Sequence, residues 1–558
     1  MHRTILDLFI LLSQHVLLTF ALALAFWWVL ARRTGAADKL QALVVSRGRI
    51  ALLLLAACLF VGFVAIAGWY LSLDGFAGEV EPVVSCLSWL VEAGHPLYHS
   101  LESAERYSVL YGPSVFLTNG LVLKILGPTI CNAKLASSLA AIASLGFLYG
   151  ALRRRRLDTA ALGITSLSVL YFWSQGFAVY LVRPDSLLLF AVGFGLFAAA
   201  RARRFLAILA IAAAMGFAVN LKLHGGIYFL PILALMWKRF GWRPVAWALV
   251  LAVLVVAAPF ALHPQVSLTN YLVWVKAALS HGMLKDQYKY TVPFAIYMLL
   301  PLLVMIGGIP RRGRWLRRNG ALVGTLCVAL VVTLLVAAKP GAGLVHLLPL
   351  VPTCLFVAGL AARELPCEAR LSTGFGRRLS GPVVAMVLTA LLVGTVHCYR
   401  SVRLVAWEND DSRELACEIR DIMEQYPDLP IGMACGGEDE SFRTTWLRPL
   451  LVFADNPLLL DPVAVMDCCK AGQDLPLETY QAISEGQVAL WLVPRQQQPF
   501  FKQNWYSPHE IVFPEQFRAH FEANYSLRGT SEFFDLWFWN GLPVVQPVPS
   551  AVATLLAP

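Results

Sequence analysis

The chain reads as an all-α polytopic membrane protein of about twelve transmembrane helices, followed by a soluble α/β or α+β domain. Three observations predict this. Hydrophobic residues make up 58% of the 558 positions and mean hydropathy is +0.64, with only 14% charged, where a soluble protein carries about 25%. Apolar stretches of span length, about 17–25 residues, recur through roughly the first 400 positions. The charge also splits. Residues 1–399 hold 34 Lys and Arg against 13 Asp and Glu, whereas residues 400–558 hold 11 against 22. Two segments of opposite charge and different hydropathy are two domains: a transmembrane core over 1–399 and a soluble domain over 400–558.

The expected spans are 8–30, 50–72, 129–152, 158–178, 184–200, 205–221, 225–237, 244–262, 291–309, 320–338, 343–362 and 381–399. The first is too long for a signal-peptide core and has no A-x-A-like site after it. At least 24 of the 45 basic residues sit in six short loops: 31–49, 153–156, 201–204, 238–243, 310–318 and 363–378. Such loops face the cytoplasm, so the basic excess is a topology signal and gives no reason to expect nucleic acid. The stretch 225–237 would make only about 20 Å of helix. It follows the break Lys222-Leu-His-Gly-Gly226, and broken helices are tolerated where they are buried or line a cavity. Residues 113–127 are short and carry Asn119 and Lys124. They read as a helix lying in the outer interface, and 82–93 reads the same way.

With the basic loops inside, the remaining polar clusters fall outside. These are the loop 73–112, Arg183-Pro-Asp185, Lys222-x-His224, the stretch Lys339–His346, and everything after 400. Their common side predicts one extracytoplasmic site.

The loop 73–112 holds six acids (Asp74, Glu79, Glu81, Glu92, Glu102, Glu105) against one base, Arg106. Glycosyl transfer from a lipid phosphate needs a base for the acceptor hydroxyl. Glu81 and Asp74 are the candidates, with Glu79 third; the alternative is solvated loop acids or helix caps. Pro184 and Asp185 make an ordinary helix start. Arg183, Lys222, His224, Lys339 and His346 add cations that suit a phosphate, although each alone fits snorkelling or capping. The aromatic residues Trp69, Tyr70, Trp89, Tyr98, Tyr107 and Tyr111 fit an interfacial belt, and some could stack on a sugar. No metal spacing is present. Asp74, Glu79, Glu81 and His95 are spread carboxylates and an imidazole that leave a divalent cation open.

In the tail, Val488–Val493 and Phe533–Trp539 read as strands and Asp411–Glu424 as a helix. It has no Walker A or nucleotide-binding glycine fingerprint. Cys417, Cys435, Cys468 and Cys469 allow one or two disulfides in an oxidising compartment, with pairing unreadable from sequence.

Seven segments carry a family resemblance: DGFAGEVEP (74–82), GHPLYHS (94–100), YGPSVFL (111–117), ILGPTICNAKLASS (125–138), RPDSLLL (183–189), NLKLHGGIYFLP (220–231) and KPGAGLVHLLPLVP (339–352). In order and spacing this set resembles the GT-C superfamily of membrane glycosyltransferases. It is similar to the polyprenyl-phosphate-sugar branch, which includes protein O-mannosyltransferases and the lipid A aminoarabinose and galacturonic acid transferases. The resemblance implies a helical core and a first outer loop holding the catalytic acid, supported by interfacial helices. It implies a polyprenyl-phosphate-linked sugar as donor and a lipid, polysaccharide or protein as acceptor. Transfer would usually invert the sugar, on the periplasmic face of a bacterial inner membrane. Glu79, Tyr98, Tyr111 and Asp185 would then contact substrate. The family often has an adjacent Asp-Glu pair in that loop. Here the acids are spread over positions 74, 79 and 81, so the choice of base stays open.

A transporter or lipid flippase is the competing class. It would show internal repeats and charges near mid-span; here no repeat is visible and the charges cluster at the rim. A non-catalytic scaffold would leave those clusters without a role.

Overall fold

The computed structural model describes residues 2–32, 36–155, 157–365, 374–437 and 443–543. Parts of three basic loops, at 33–35, 156 and 366–373, therefore lie outside the described residues. The chain forms two compact units. The first comprises Met1–Tyr70, Ser137–Ala258 and Met283–Leu404, and the second Leu71–Ala136, Pro259–Gly282 and Val405–Pro558.

Among the described residues, eight helices are long and apolar enough to cross a membrane, or nine if one bent pair is a single span. The protein is a multi-pass membrane protein. All twelve expected stretches are helical, but three are short. Thr159–Trp173, Arg204–Val219 and Leu230–Phe240 have 15, 16 and 11 residues. The stretch 8–30 bends by 111° at His15, and Thr19 Oγ1 donates to the Leu12 carbonyl across that break.

The first unit is built around its most enclosed helices. The apolar windows of Leu344–Ala362 and Pro184–Arg201 are 83% and 72% buried, against 11% for Trp242–Leu262. The last exposes Val250, Val253 and Leu254, as a lipid-facing helix does. Small residues let the central helices approach closely: a Cβ on Gly394 would lie 2.6 Å from the Leu170 carbonyl oxygen.

Two chain breaks shape the polar part of this unit. After Arg204–Val219 the backbone turns through Lys222 into a 3-10 helix, Leu223–Phe229, before Leu230–Phe240 resumes. The turn needs Gly225, where a Cβ would meet the Ala218 carbonyl oxygen at 2.0 Å. Asn220 Nδ2 donates to the carbonyls of Val255 and Val256, at 3.2 and 3.1 Å. Pro259 cannot donate to the Val255 carbonyl from its own helix, and the Asn220 amide replaces that bond. Leu344–Leu350 is a second 3-10 segment, leading into helix Val351–Ala362.

The second unit is α+β. Its four-stranded sheet comes from β1 (Ile431–Met433), β2 (Leu490–Pro494), β5 (Tyr525–Thr530) and β6 (Phe534–Trp539), in the order β1-β2-β6-β5. A hairpin pairs β3 (Gln503–Asn504) with β4 (Ser507–Ile511). The β1-β2 pair is parallel and the others antiparallel. The apolar runs expected as strands are β2 and β6, and helix Ser412–Gln425 matches the expected 411–424. Val488, Trp491, Phe500, Phe513, Phe517 and Phe521 fill its core. Cys417, Cys435, Cys468 and Cys469 are all free thiols, so the disulfides left open by the sequence do not form.

The loop 73–112 is woven into this unit. Arg106 N donates to the Leu459 carbonyl at 2.7 Å, and Asp461 N donates back to the Arg106 carbonyl at 2.8 Å. The Arg106 guanidinium donates to the carbonyls of Ser103 and Glu105, at 2.8 and 2.7 Å, and to that of Leu101. The one base of the acidic loop is thus a structural pin. His99 does the same from the other side: its Nε2 accepts from the Tyr107 and Ser108 amides, and its carbonyl accepts from Trp274 Nε1. Trp274 lies on helix Leu268–Leu279, which the sequence reading did not foresee.

Two more helices complete the unit's N-terminal part. Val80–Glu92 and Pro113–Leu126 meet where Gly120 would place a Cβ 2.5 Å from the Ser88 carbonyl oxygen. Pro113–Leu126 has a buried face and an exposed apolar one of Leu121, Ile125 and Leu126. Val80–Glu92 differs from the reading of 82–93 as interfacial. Nearly every residue from Glu81 to Val91 is buried, so its apolar side chains pack in protein.

Candidate active site

The acids of the loop have separate environments. Asp74 follows helix Ala36–Ser72 and is exposed; Glu79 is half-buried at the N-cap of Val80–Glu92; Glu81, in the first turn, is fully buried. Glu81 Oε2 accepts the Ala77 amide at 2.8 Å. Burying an ionised carboxylate is costly without positive charge nearby. That charge comes from Lys134, itself fully buried, whose Nζ donates to the Leu73 carbonyl at 2.8 Å. Lys134 lies within electrostatic reach of Glu81 and Asp74. Glu408 lies within reach of Glu79, Glu81 and Arg443. The loop carboxylates thus have Lys134 and a further acid, Glu408, within electrostatic reach.

Sequence reasoning missed Lys134. The signal was available: one lysine in the 23-residue apolar helix Ile130–Leu152 is expensive in a membrane span and marks function by default.

Tyr98 is buried, and its hydroxyl donates to the Tyr111 carbonyl at 2.7 Å. It braces the loop, and Tyr111 is half-buried beside it. Tyr506 lies within electrostatic reach of Glu79 and Tyr111. Its hydroxyl donates to Asp467 Oδ1 at 3.1 Å, and burial pushes the Asp467 carboxyl up to about 7. Among the described residues, no three His, Cys, Asp or Glu side chains gather as a metal site. Asp74, Glu79, Glu81 and His95 therefore do not assemble one.

The other predicted clusters meet in the first unit. Arg183 is the N-cap of Pro184–Arg201, and Asp185 lies in its first turn, buried. Asp185 Oδ1 takes an ion pair from Lys222 Nζ at 2.7 Å, and Oδ2 lies 3.7 Å from Arg183 Nε. His224 and His346 stack with ring centroids 4.9 Å apart. Tyr228 joins their segments: its hydroxyl is 3.2 Å from His224 Nε2 and donates to the His346 carbonyl at 2.8 Å. Lys339 lies within electrostatic reach of His224. Three sequence-distant clusters thus form one polar centre with one acid and several potential cations.

The chain matches no protein-family model and no curated protein. Solved structures do match. The crystal structure of ArnT from Cupriavidus metallidurans bound to undecaprenyl phosphate is similar, with TM-score 0.50 and 14% identity over 86% of this chain and 97% of that one. The two chains share a fold. The apo structure of the same protein gives TM-score 0.49 and 15% identity, over 79% and 93%. Archaeal oligosaccharyltransferase AglB from Archaeoglobus fulgidus, in complex with an inhibitory peptide and a dolichol-phosphate, gives 0.40 and 10%, over 81% and 70%.

Proposed function

We propose that the protein is a glycosyltransferase that moves a sugar from a polyprenyl-phosphate donor to a cell-envelope acceptor. It would act at the periplasmic face of a bacterial inner membrane, with residues 400–558 as its periplasmic domain. The observation that carries this reading is the buried Glu81 carboxylate with Lys134, in a chain whose fold is similar to that of an undecaprenyl-phosphate-bound transferase.

In this reading Glu81 is the base, and Asp74 is the alternative. A carboxylate shielded from water and held by a backbone amide is placed for proton transfer; an exposed one on a loop is less constrained. The acceptor hydroxyl attacks the anomeric carbon and gives its proton to the carboxylate. The bond from that carbon to the phosphate oxygen breaks, and its electron pair leaves with the phosphate. A single displacement of this kind inverts the sugar. Arg183, Lys222, His224, Lys339 and His346 would hold the phosphate and stabilise its gathering charge. Asp185 keeps Lys222 and Arg183 in place, and Glu79 and Tyr111 border the sugar.

The test uses full-length protein in nanodiscs, radiolabelled polyprenyl-phosphate sugars and envelope acceptors. Transfer by the wild type and its loss in Glu81→Gln are expected. Transfer that survives both Glu81→Ala and Asp74→Ala would overturn the mechanism. Absence of transfer with every donor, alongside measured movement of lipid-linked sugar across the bilayer, would favour a flippase.

A further inference from the structure

Helix Val80–Glu92 carries Glu81 in its first turn and Trp89 in its last, eight residues apart and so about 12 Å along the axis. At the Trp89 end the second unit has a cleft of about 210 Å³, lined by Trp89, Tyr107, Glu105, Asp455 and Gln487 among others. The reaction proposed above uses none of these residues.

The lining has a specific chemistry. Its floor is apolar, from Leu90, Val452 and Leu458. Tyr107 is buried and its hydroxyl already donates to the Pro96 carbonyl, so it offers the cleft a ring. Among the described residues the Trp89 indole N–H has no hydrogen-bond partner. Asp455 and Gln487 are exposed and Glu105 is half-exposed. Asp455 has a φ of 62°, a conformation non-glycine residues adopt at a cost and often at functional sites. The lining includes no Lys or Arg.

An aromatic wall beside acceptors on an apolar floor suits a ligand with one C–H face and a rim of hydroxyls. At about 30 Å³ per water, the volume holds roughly seven waters, the scale of one pyranose ring. Two carboxylates, with no Lys or Arg and with His95 as the one imidazole in the lining, disfavour phosphate, uronate or any other anion. A lipid tail would leave the rim acceptors unsatisfied.

We propose that this cleft is a saccharide subsite for one neutral or amino-bearing pyranose. Assigning that pyranose to the acceptor rests on the proposed transferase function; the binding itself does not.

The experiment is saturation-transfer NMR on full-length protein in nanodiscs, with no donor present. The probes are a neutral trisaccharide, its amino-sugar counterpart and a trigalacturonate. The neutral and amino trisaccharides should bind, and the uronate should not. Glu81→Gln should bind as the wild type does. Asp455→Ala and Glu105→Gln, both at accessible positions, should weaken binding about tenfold, as loss of a charge-assisted hydrogen bond does. No saturation transfer from any saccharide would overturn the proposal. So would equal binding of the uronate, or affinity unchanged in both cleft variants. Binding without any detectable transfer would keep the subsite and remove the transferase reading. If both hold, Asp455→Ala raises the acceptor KM and leaves kcat unchanged.

Discussion

Lys222 Nζ lies 2.7 Å from Asp185 Oδ1, and both side chains are buried. Asp185 lies in the first turn of helix Pro184–Arg201 and Lys222 follows the next helix, Arg204–Val219, so their pairing fixes one break in the chain against a helix start. Removing one partner of a buried pair leaves an uncompensated charge, which costs about 3–5 kcal/mol. Asp185→Ala and Lys222→Met should each lower the melting temperature in detergent. The double variant Asp185→Leu with Lys222→Met should regain most of that stability without regaining transfer. A double variant as unstable as either single would refute the pairing as the source of the loss.

Glu81 and Asp74 differ in burial, and the difference predicts unequal variants. Glu81→Gln keeps shape and removes the base, so kcat should fall by about 10²–10⁴-fold with the donor KM little changed. Asp74→Asn should cost less than tenfold. Single-turnover transfer measures both, and the reverse ranking would make Asp74 the base.

The pH behaviour of the loop follows from His99. Its Nε2 accepts two backbone amides, and burial lowers its pKa to about 4 from an ordinary 6.5. The unfolded loop therefore binds a proton near pH 6.5, while the folded loop resists it down to about 4. Stability from this residue is complete above 6.5 and is lost as pH falls toward 4. The loss is on the order of 3 kcal/mol. Hydrogen exchange of residues 97–111 should lose protection over that window in the wild type. In His99→Gln protection should be lower throughout and nearly flat with pH.

Gly120 sets the distance between the helix carrying Glu81 and its neighbour. A methyl there would lie 2.5 Å from the Ser88 carbonyl oxygen and 2.9 Å from Glu92 Cγ. Gly120→Ala should destabilise by about 1–3 kcal/mol and reduce transfer. Gly146→Ala, with nothing within 4 Å of the new methyl, is the control and should be neutral or stabilising. Thermal unfolding followed by circular dichroism distinguishes them.

Much of this was legible in the sequence because the signals are local. The runs that became β2 and β6 are apolar and aromatic-rich, with only Asp535 breaking the apolar pattern. Arg183, Lys222 and His224 stand beside proline or glycine breaks that mark helix ends. Other features depended on partners far along the chain. Tyr98 stood among the aromatics of an interfacial belt, yet it is fully buried, with its hydroxyl on the Tyr111 carbonyl. The helix Val80–Glu92 had the composition of a membrane-surface helix, yet it is enclosed. A periodic pattern gives which face is apolar and leaves open whether lipid or protein covers it.

By itself the sequence determined that the protein is a multi-pass membrane protein with a small α/β or α+β part, and that its polar groups concentrate in a few short segments. Hydropathy and charge bias act through solvent preference, which needs no knowledge of contacts. The tertiary structure decided which of those groups meet. It buried Glu81 while leaving Asp74 exposed, joined Asp185 to Lys222, and used Arg106 to weave the acidic loop onto the C-terminal domain and His99 to tie it to helix Leu268–Leu279. Each of these depends on hydrogen bonds and ion pairs between residues tens to hundreds of positions apart. Only the closed fold sets those distances.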